Sequence, residues 1–328
     1  MNYTPSTIVR AALLIIMTGL MGSAQTQESI DAYPSKPVII ISPVAGASAT
    51  DTSFRLYTQN ITAATGKQFV IDPKPGVGGT LAGTYVARAA PDGYTLMAVN
   101  SAFTIIPSAY PNLSYDTIRD FSPIVILTKQ PYLLLINPAS PYQTLPDYIA
   151  YARGHPGDLN FSTLGQGGAS HLPGAMLHNM TNTKVTFVHY RNNQKTLDLI
   201  SGRVHATVLS YGTSIAHLKA GKLRAIAITS TQRLGLLPDV PSISEYVPGY
   251  DFSNWIGMVA PAKTSPAIVE KLNDMFVKVG RDPEINRKLA IDGSITNSGT
   301  PEQFKQLIAI ETVRWRKLIE DTGIKIEQ

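Results

Sequence analysis

Pro37 to Gly66 constrains the fold more than any other stretch: an apolar run, a loop of small residues, then a helix-like segment. Val38-Ile39-Ile40-Ile41 is too apolar for a strand with one wet face, so it reads as a buried strand of a covered sheet. The loop Ser42-Pro43-Val44-Ala45-Gly46-Ala47-Ser48-Ala49 follows. Thr50-Asp51-Thr52 open a helix capped by Ser48 or Thr50, with Asp51 facing the positive helix end. Phe54, Tyr57 and Ile61 give that helix a stripe to bury, and Gly66 stops it. Backbone N–H groups left free where a loop meets a helix can hold an anion. An ordinary tight strand–helix connection carries the same signature, and this stretch alone leaves both readings open.

The 328 residues are enough for a sizeable core and about two domains. Hydrophobic residues at 44% and charged residues at 16% describe a globular chain. The absence of cysteine excludes disulfides, thiolate metal sites, a cysteine nucleophile and a lipid anchor on an N-terminal Cys. Arg10, the apolar stretch Ala11 to Leu20 and the small residues Gly22-Ser23-Ala24 have the order of a signal peptide over residues 1–24. That run is shorter than the roughly 18 apolar residues of a membrane span. The expectation is an exported, soluble protein of the periplasm, cleaved near Ala24. The net charge of +5 is scattered, without a basic run. Nucleic acid is therefore not an expected partner, whereas an anionic small molecule suits a mild positive bias.

The pattern beyond Gly66 alternates strands and helices. Gln68 to Asp72, a helix from about Thr80 to Ala90, and Tyr94 to Asn100 continue the rhythm, which implies parallel strands with right-handed crossovers. Gly76-Val77-Gly78 resembles a dinucleotide fingerprint, but Leu81 stands where a third small residue belongs, so a packing and turn role is favoured. Two strand-like runs, Ile124 to Thr128 and Tyr132 to Ile136, flank Lys129-Gln130-Pro131 and mark the crossing into a second lobe. There the rhythm repeats: strands at Leu159 to Leu164, Val185 to Tyr190, His205 to Ser210 and Leu223 to Thr229, with helices between. The proline-rich Pro238 to Asp251 reads as the return. Thr300-Pro301-Glu302-Gln303 caps a last helix whose apolar face is Phe304, Leu307, Ile308, Trp315 and Ile319, ended by Gly323. Packed back on the first lobe, that helix makes the lobe discontinuous. The expected organisation is a signal peptide at 1–24, one lobe from 28–127 plus 250–328, and a second from 128–249. A cleft between two α/β lobes is where a small ligand sits.

Reactive chemistry is not advertised. No Gly-x-Ser-x-Gly elbow is present, and Ser170-His171 are adjacent, a poor arrangement for proton transfer between side chains. The histidines His155, His171, His178, His189, His205 and His217 form no H-x-x-x-H pair, so neither a metal nor another cofactor is expected. His178 and His217 read as helix-surface residues. What recurs is strand, small or polar loop, helix N-terminus: at Ala45 to Asp51, at Gly165 to His171 and at Tyr190 to Gln194. Their amides, with the hydroxyls of Ser48, Thr50 and Ser170, could hold a carboxylate without an ion pair.

A series of ordered motifs carries a resemblance. Lys74-Pro75-Gly76-Val77-Gly78-Gly79, Ala90-Pro91-Asp92-Gly93-Tyr94-Thr95-Leu96, Tyr115-Asp116 through Asp120-Phe121-Ser122-Pro123, Ser170-His171-Leu172, Lys219-Ala220-Gly221-Lys222-Leu223-Arg224-Ala225 and Leu237-Pro238-Asp239-Val240-Pro241-Ser242 occur in this order. With them, the chain from Tyr33 to about Gly323 resembles the Bug-type solute-binding proteins of tripartite tricarboxylate transport systems. The resemblance implies an α/β, two-lobed type II periplasmic-binding-protein fold that closes on a small carboxylate, and no enzyme activity. It implies a monomer that delivers its ligand to membrane permease subunits; a sensor ectodomain is the alternative partner, and a periplasmic hydrolase a more distant reading. By position, it implies ligand contacts at Ala45, Gly46, Ala47, Ser48, Ala49, Thr50, Asp51 and Ser101. In the second lobe it implies Gly167, Gly168, Ala169, Ser170 and His171, then Tyr190, Arg191 and Asn192, with Ser210 and Tyr211 on a further pocket stretch.

The departures from the family pattern bear on the ligand. Ala47-Ser48-Ala49 replace a Gly-Gly-rich loop, so side chains narrow the pocket or supply a hydroxyl. Tyr190-Arg191-Asn192 stand for Tyr-Lys-Gly, and Arg191 either pairs with a second carboxylate or points to solvent. Leu209-Ser210 replace an Asp-Asn pair, removing a charge that would meet a ligand ammonium. A dicarboxylate or aromatic acid is thereby favoured over an amino acid.

Overall fold

The computed structural model describes residues 29–44, 49–76, 79–110 and 112–325. The chain divides into two compact units, Met1–Ser35 and Lys36–Gln328. The signal-peptide reading falls outside the described residues. The described part of the first unit is a turn in which the Ala32 and Tyr33 amides donate to the Ser29 carbonyl.

The second unit opens as the apolar run dictates. Strand β1 (Val38–Ser42) buries Val38, Ile40 and Ile41 completely, and helix α1 (Ala49–Thr65) lays down Phe54, Tyr57 and Ile61, all nearly inaccessible. Because α1 begins at Ala49, Thr50 lies inside its first turn and is not the cap; the Ser48 alternative lies outside the described residues. Strand β2 (Phe69–Pro73), helix α2 (Thr80–Ala87) and strand β3 (Thr95–Asn100) follow, and β1 pairs in parallel with both β2 and β3. A short helix that the sequence pattern did not disclose, α3 (Ala102–Ala109), comes next.

Strand β4 (Phe121–Ile136) differs from expectation. Its 16 residues form one strand, not two runs around a break. Lys129, Gln130 and Pro131 stay in register with Trp255, Asn254 and Ser253 of strand β9 (Ser253–Pro261), so polar residues interrupt the apolar pattern without interrupting the ladder. Further along, β4 pairs antiparallel with β7 (Ala206–Ser210) and β8 (Arg224–Ile228). Between them come α4 (Leu145–Gly154), β5 (Asn160–Leu164), α5 (Leu172–Met180), β6 (Thr186–Tyr190), α6 (Gln194–Ile200) and, after β7, α7 (Tyr211–Lys219). The path across the sheet is β2-β1-β3-β9-β4-β7-β5-β6, so β4 belongs to both halves of a two-lobed α/β fold. Helices α8 (Pro266–Gly280) and α9 (Pro283–Ala290), strand β10 (Ile295–Thr296) against β4, and helix α10 (Pro301–Thr322) complete the chain.

Among the described residues, three core clusters bear on the site. One gathers Ile41, Val99, Phe121, Trp255 and Phe304; a second gathers Leu134, Tyr148, Phe161, Val208 and Trp315. A third contains Leu133, Leu199, Leu209 and Ile228. Leu133 and Leu134, like Val208 and Leu209, are chain neighbours, and the strand period of two sends them to opposite faces. Helix α10 starts as the sequence predicts, with the Thr300 and Gln303 capping box and Pro in its first turn, and ends at Gly323 with φ 65°. Its N-terminal half supplies Phe304 and Ile308 to the first cluster, and its C-terminal half supplies Trp315 and Leu318 to the second.

His178 is a correction. It is buried, its Nε2 lying 3.1 Å from Tyr148 Oη and its Nδ1 2.7 Å from Thr183 Oγ1. The helical turn that carries it faces α4 and Phe161, and burial holds its imidazole neutral with a pKa of about 3. His217 is half-buried.

The β4–β9 contact allows no side chain at Gly257: a Cβ there would sit 2.6 Å from the Val125 carbonyl oxygen and 2.8 Å from the Phe304 ring. The ladder fixes the carbonyl, so the strain has nowhere to relax. Gly257→Ala is expected to cost about 2 kcal/mol in urea unfolding, and an unchanged midpoint would contradict the packing of β9 on β4.

Candidate functional site

The parallel strands β5, β6 and β7 lie side by side and end at the same edge, because Leu164 pairs with Tyr190 and Ser162 with Thr207. The loops that follow them therefore collect there. The first of these, Gly165 to His171, is stitched internally. Ser170 Oγ accepts from the Leu164 amide at 2.7 Å, which leaves its O–H free to donate. His171 Nδ1 accepts from the Gly167 amide at 2.9 Å. Burial, helped by the neighbouring His189, lowers the His171 pKa to about 4, so the ring is neutral and carries its proton on Nε2. Gly168 and Ala169 are half-buried beside them, and His171 caps α5 with backbone only. The loop thus offers donors without a formal charge.

Next along the edge, the Gly165 amide donates to the Tyr190 carbonyl, tying the first loop to the second. Tyr190 Oη donates to Asp198 at 2.8 Å, and Asn192 Oδ1 accepts from the Gln194 amide at 3.0 Å. Arg191 is exposed and takes part in no ion pair among the described residues. Four residues on, Lys195 is the reverse case. It is 0% exposed, its Nζ has no hydrogen-bond partner among the described residues, and burial lowers its pKa to about 8.

A second group of predicted residues meets where β4 crosses the sheet. Ser101 is buried at the start of α3; its amide donates to the Trp255 carbonyl and its Oγ to Asn254 Oδ1 at 2.6 Å. Asn254 pairs with Gln130, and two residues along β4 Tyr132 pairs with Ser210. Ser210 and Tyr211 open α7, and the Gly212 amide donates to the Asp292 carbonyl, which also accepts from Gln130 Nε2 at 3.1 Å. A small open pocket lies here, lined by Thr50, Ser53, Gln130, Asn254, Asp292 and Ser294 among others. Among the described residues of the first loop region, Thr50 alone lines this pocket. Ala45, Gly46, Ala47 and Ser48 lie outside the described residues, and Ala49 opens α1. Asp51 is buried and accepts from Arg55 Nε at 2.7 Å one turn further on.

Gln130, Asn254, Asp292 and Ser294 were missed by the sequence reading. Gln130 alone left a trace, as part of the polar triplet between two apolar runs. No group of three or more His, Cys, Asp or Glu suited to a metal occurs among the described residues. Among them, no helix is long and apolar enough to cross a membrane.

Comparison with known proteins matches residues 53–324 to the family described as tripartite tricarboxylate transporter family receptor. A Pseudomonas protein described as a UPF0065 protein in the tcbD-tcbE intergenic region is 31% identical, over 97% of this chain and 96% of its own length. An R. palustris protein solved with adipate superposes with a TM-score of 0.71 at 30% identity, covering 89% of this chain and 99% of the other. MatC from Rhodopseudomonas palustris, solved with malate, gives a TM-score of 0.67 at 30% identity, over 88% of this chain and 100% of the other.

Proposed function

Since the chain belongs to the tripartite tricarboxylate transporter receptor family, we propose that it is a periplasmic solute-binding protein that captures a small dicarboxylate by lobe closure. The observation that carries the reading is the uncharged donor set at the end of β5: the Ser170 hydroxyl, the His171 Nε2–H and the amides around Gly168. Fixed donors of this kind bind a carboxylate through charge-assisted hydrogen bonds and leave nothing basic enough to attack it. The bound adipate and malate of the two solved relatives support a diacid. Ala45 to Asp51, Ser101, Tyr190, Asn192, Ser210 and Tyr211 form the rest of the proposed contact surface. In this reading the lobes divide at residues 127–128 and 249–250, close to where β4 changes partner from β9 to β7 between Pro131 and Tyr132, and closure turns about these crossing strands. The closed form is the one a membrane permease recognises, and nothing here requires a reaction.

A second reading has one observation in its favour. Asp292 is among the residues lining the pocket at the crossing, and an acidic residue there suits a ligand ammonium. Thermal unfolding of the protein lacking residues 1–24 separates the two, with adipate, adipamide and glutamate as probes. Adipate at 100 times its dissociation constant is expected to add about 2.7 kcal/mol to the unfolding free energy, and adipamide nothing. A shift with glutamate and none with adipate would transfer the assignment to amino acids. No shift with any acid would refute carboxylate capture.

A further inference from the structure

The sequence offered Arg191 for a second ligand carboxylate, but Arg191 is exposed, whereas the buried cation of this loop region is Lys195. Its place follows from the helix period. Lys195 and Leu199 are four residues apart and share a face of α6, and Leu199 packs in the cluster of Leu133, Leu135 and Leu209. Helix α6 starts directly after the loop that ends β6, so its first turn lies at the end of the sheet where the Gly165–His171 and Ser210–Tyr211 segments emerge. Lys195 is thus inside the second lobe, at its ligand end, and not on the helix surface.

An ammonium taken out of water without a partner is costly, and native proteins normally pair such a group. The nearby acid is engaged elsewhere: Asp198 accepts from the Tyr190 hydroxyl, Gln194 Nε2 and Arg203. No carboxylate oxygen comes within ion-pair distance of Lys195 among the described residues. With a pKa of about 8, the group is mainly cationic at neutral pH all the same. A buried charge without a counter-charge, on the helix that follows the β6 loop at the sheet edge where the β5 loop also emerges, lacks an anion.

We propose that Lys195 supplies the counter-charge for the second carboxylate of a dicarboxylate whose first carboxylate is held by the Gly167–His171 loop, and so selects diacids over monoacids. The proposal rests on the solute-binding reading above and adds to it the residue that sets ligand charge. It also explains the burial: the same desolvation that makes the free lysine costly makes its pairing with a ligand anion strong. Arg191 is left with at most a role in attracting anions.

The test is calorimetric titration of adipate and monomethyl adipate into the native protein, Lys195→Met and Arg191→Ala, with urea unfolding of each in the absence of ligand. Lys195→Met is expected to lose at least 30-fold in adipate affinity, to keep monomethyl adipate within threefold of native, and to unfold at a urea concentration no lower than native. Arg191→Ala is expected to change either affinity less than threefold. Equal loss for both ligands in Lys195→Met, or selective loss of adipate in Arg191→Ala, would overturn the assignment. If Lys195→Met does not fold, Lys195→Gln provides the same comparison with a polar tip. Native protein that binds adipate and its monoester equally would refute the role of Lys195 while leaving carboxylate capture intact. Native protein that binds neither would refute both.

Discussion

Trp315→Ala is expected to lower the unfolding free energy by about 3–5 kcal/mol. Trp315 is 1% exposed and sits edge-on to Phe252, with ring centroids 5.8 Å apart, inside the cluster that holds Tyr148, Phe161 and Val208. It is also the point at which α10, anchored in the other cluster by Phe304 and Ile308, enters this one. An alanine leaves a cavity that rigid strands cannot collapse into, and it removes much of the helix's hold on the second cluster. Two effects should therefore appear together in urea unfolding: a lower midpoint, and a transition broadened as the two halves lose cooperativity. A fall below about 1 kcal/mol would mean that α10 does not unite the two cores.

The second large effect is the pH dependence carried by Glu311, one turn before Trp315. Its Oε2 accepts from Trp255 Nε1 and from Thr104 Oγ1, each at 2.9 Å, and Thr104 Oγ1 is also 2.9 Å from the Ser101 carbonyl. Burial raises its pKa from 4.5 to about 7, outweighing the two hydrogen bonds and Arg314, which pull it down; Asp251 adds to the rise. For an acid raised on folding, the native state binds the extra proton. The stability this contributes is complete below pH 4.5 and is lost as pH rises through about 7, and it amounts to about 3 kcal/mol. The Trp255 indole N–H is directed at Oε2, so a proton on Oε1 leaves that bond in place. Glu311→Gln keeps an acceptor and cannot titrate. The difference in unfolding free energy between Glu311→Gln and native should move in favour of the variant by about 3 kcal/mol between pH 4.5 and pH 8, because the other carboxylates cancel in the comparison. A difference independent of pH would place the titration elsewhere.

Much of this fold was legible in the chain because its signals are local. The apolar run Val38 to Ile41, the stripe Phe54, Tyr57 and Ile61, and the Thr300 capping box each encode their structure within about one or two turns, and each appears as read. The alternation of strands and helices set the parallel β2-β1-β3 and β6-β5-β7 groups, since a crossover of that length admits little else. The motifs from Lys74 to Ser242 marked the family.

Non-local partners were not legible. Lys129-Gln130-Pro131 looked like a break because the sequence does not show that Ser253 to Trp255 lie alongside to pair with them. His178 looked like a surface residue because polar side chains on a helix usually are; Tyr148 and Thr183, distant and near in sequence, provide the partners that let it be buried. The same limit separates Arg191 from Lys195. Both are cations in one short stretch, and composition favours the arginine for a carboxylate, but burial depends on the sheet and loops that the rest of the chain places around them. The sequence by itself determined most of the elements and their crossover order, because helix and strand periods and caps are properties of neighbouring residues. Only the tertiary structure decided which polar groups are stripped of water and left to wait for a partner, because desolvation is a property of everything packed around a group.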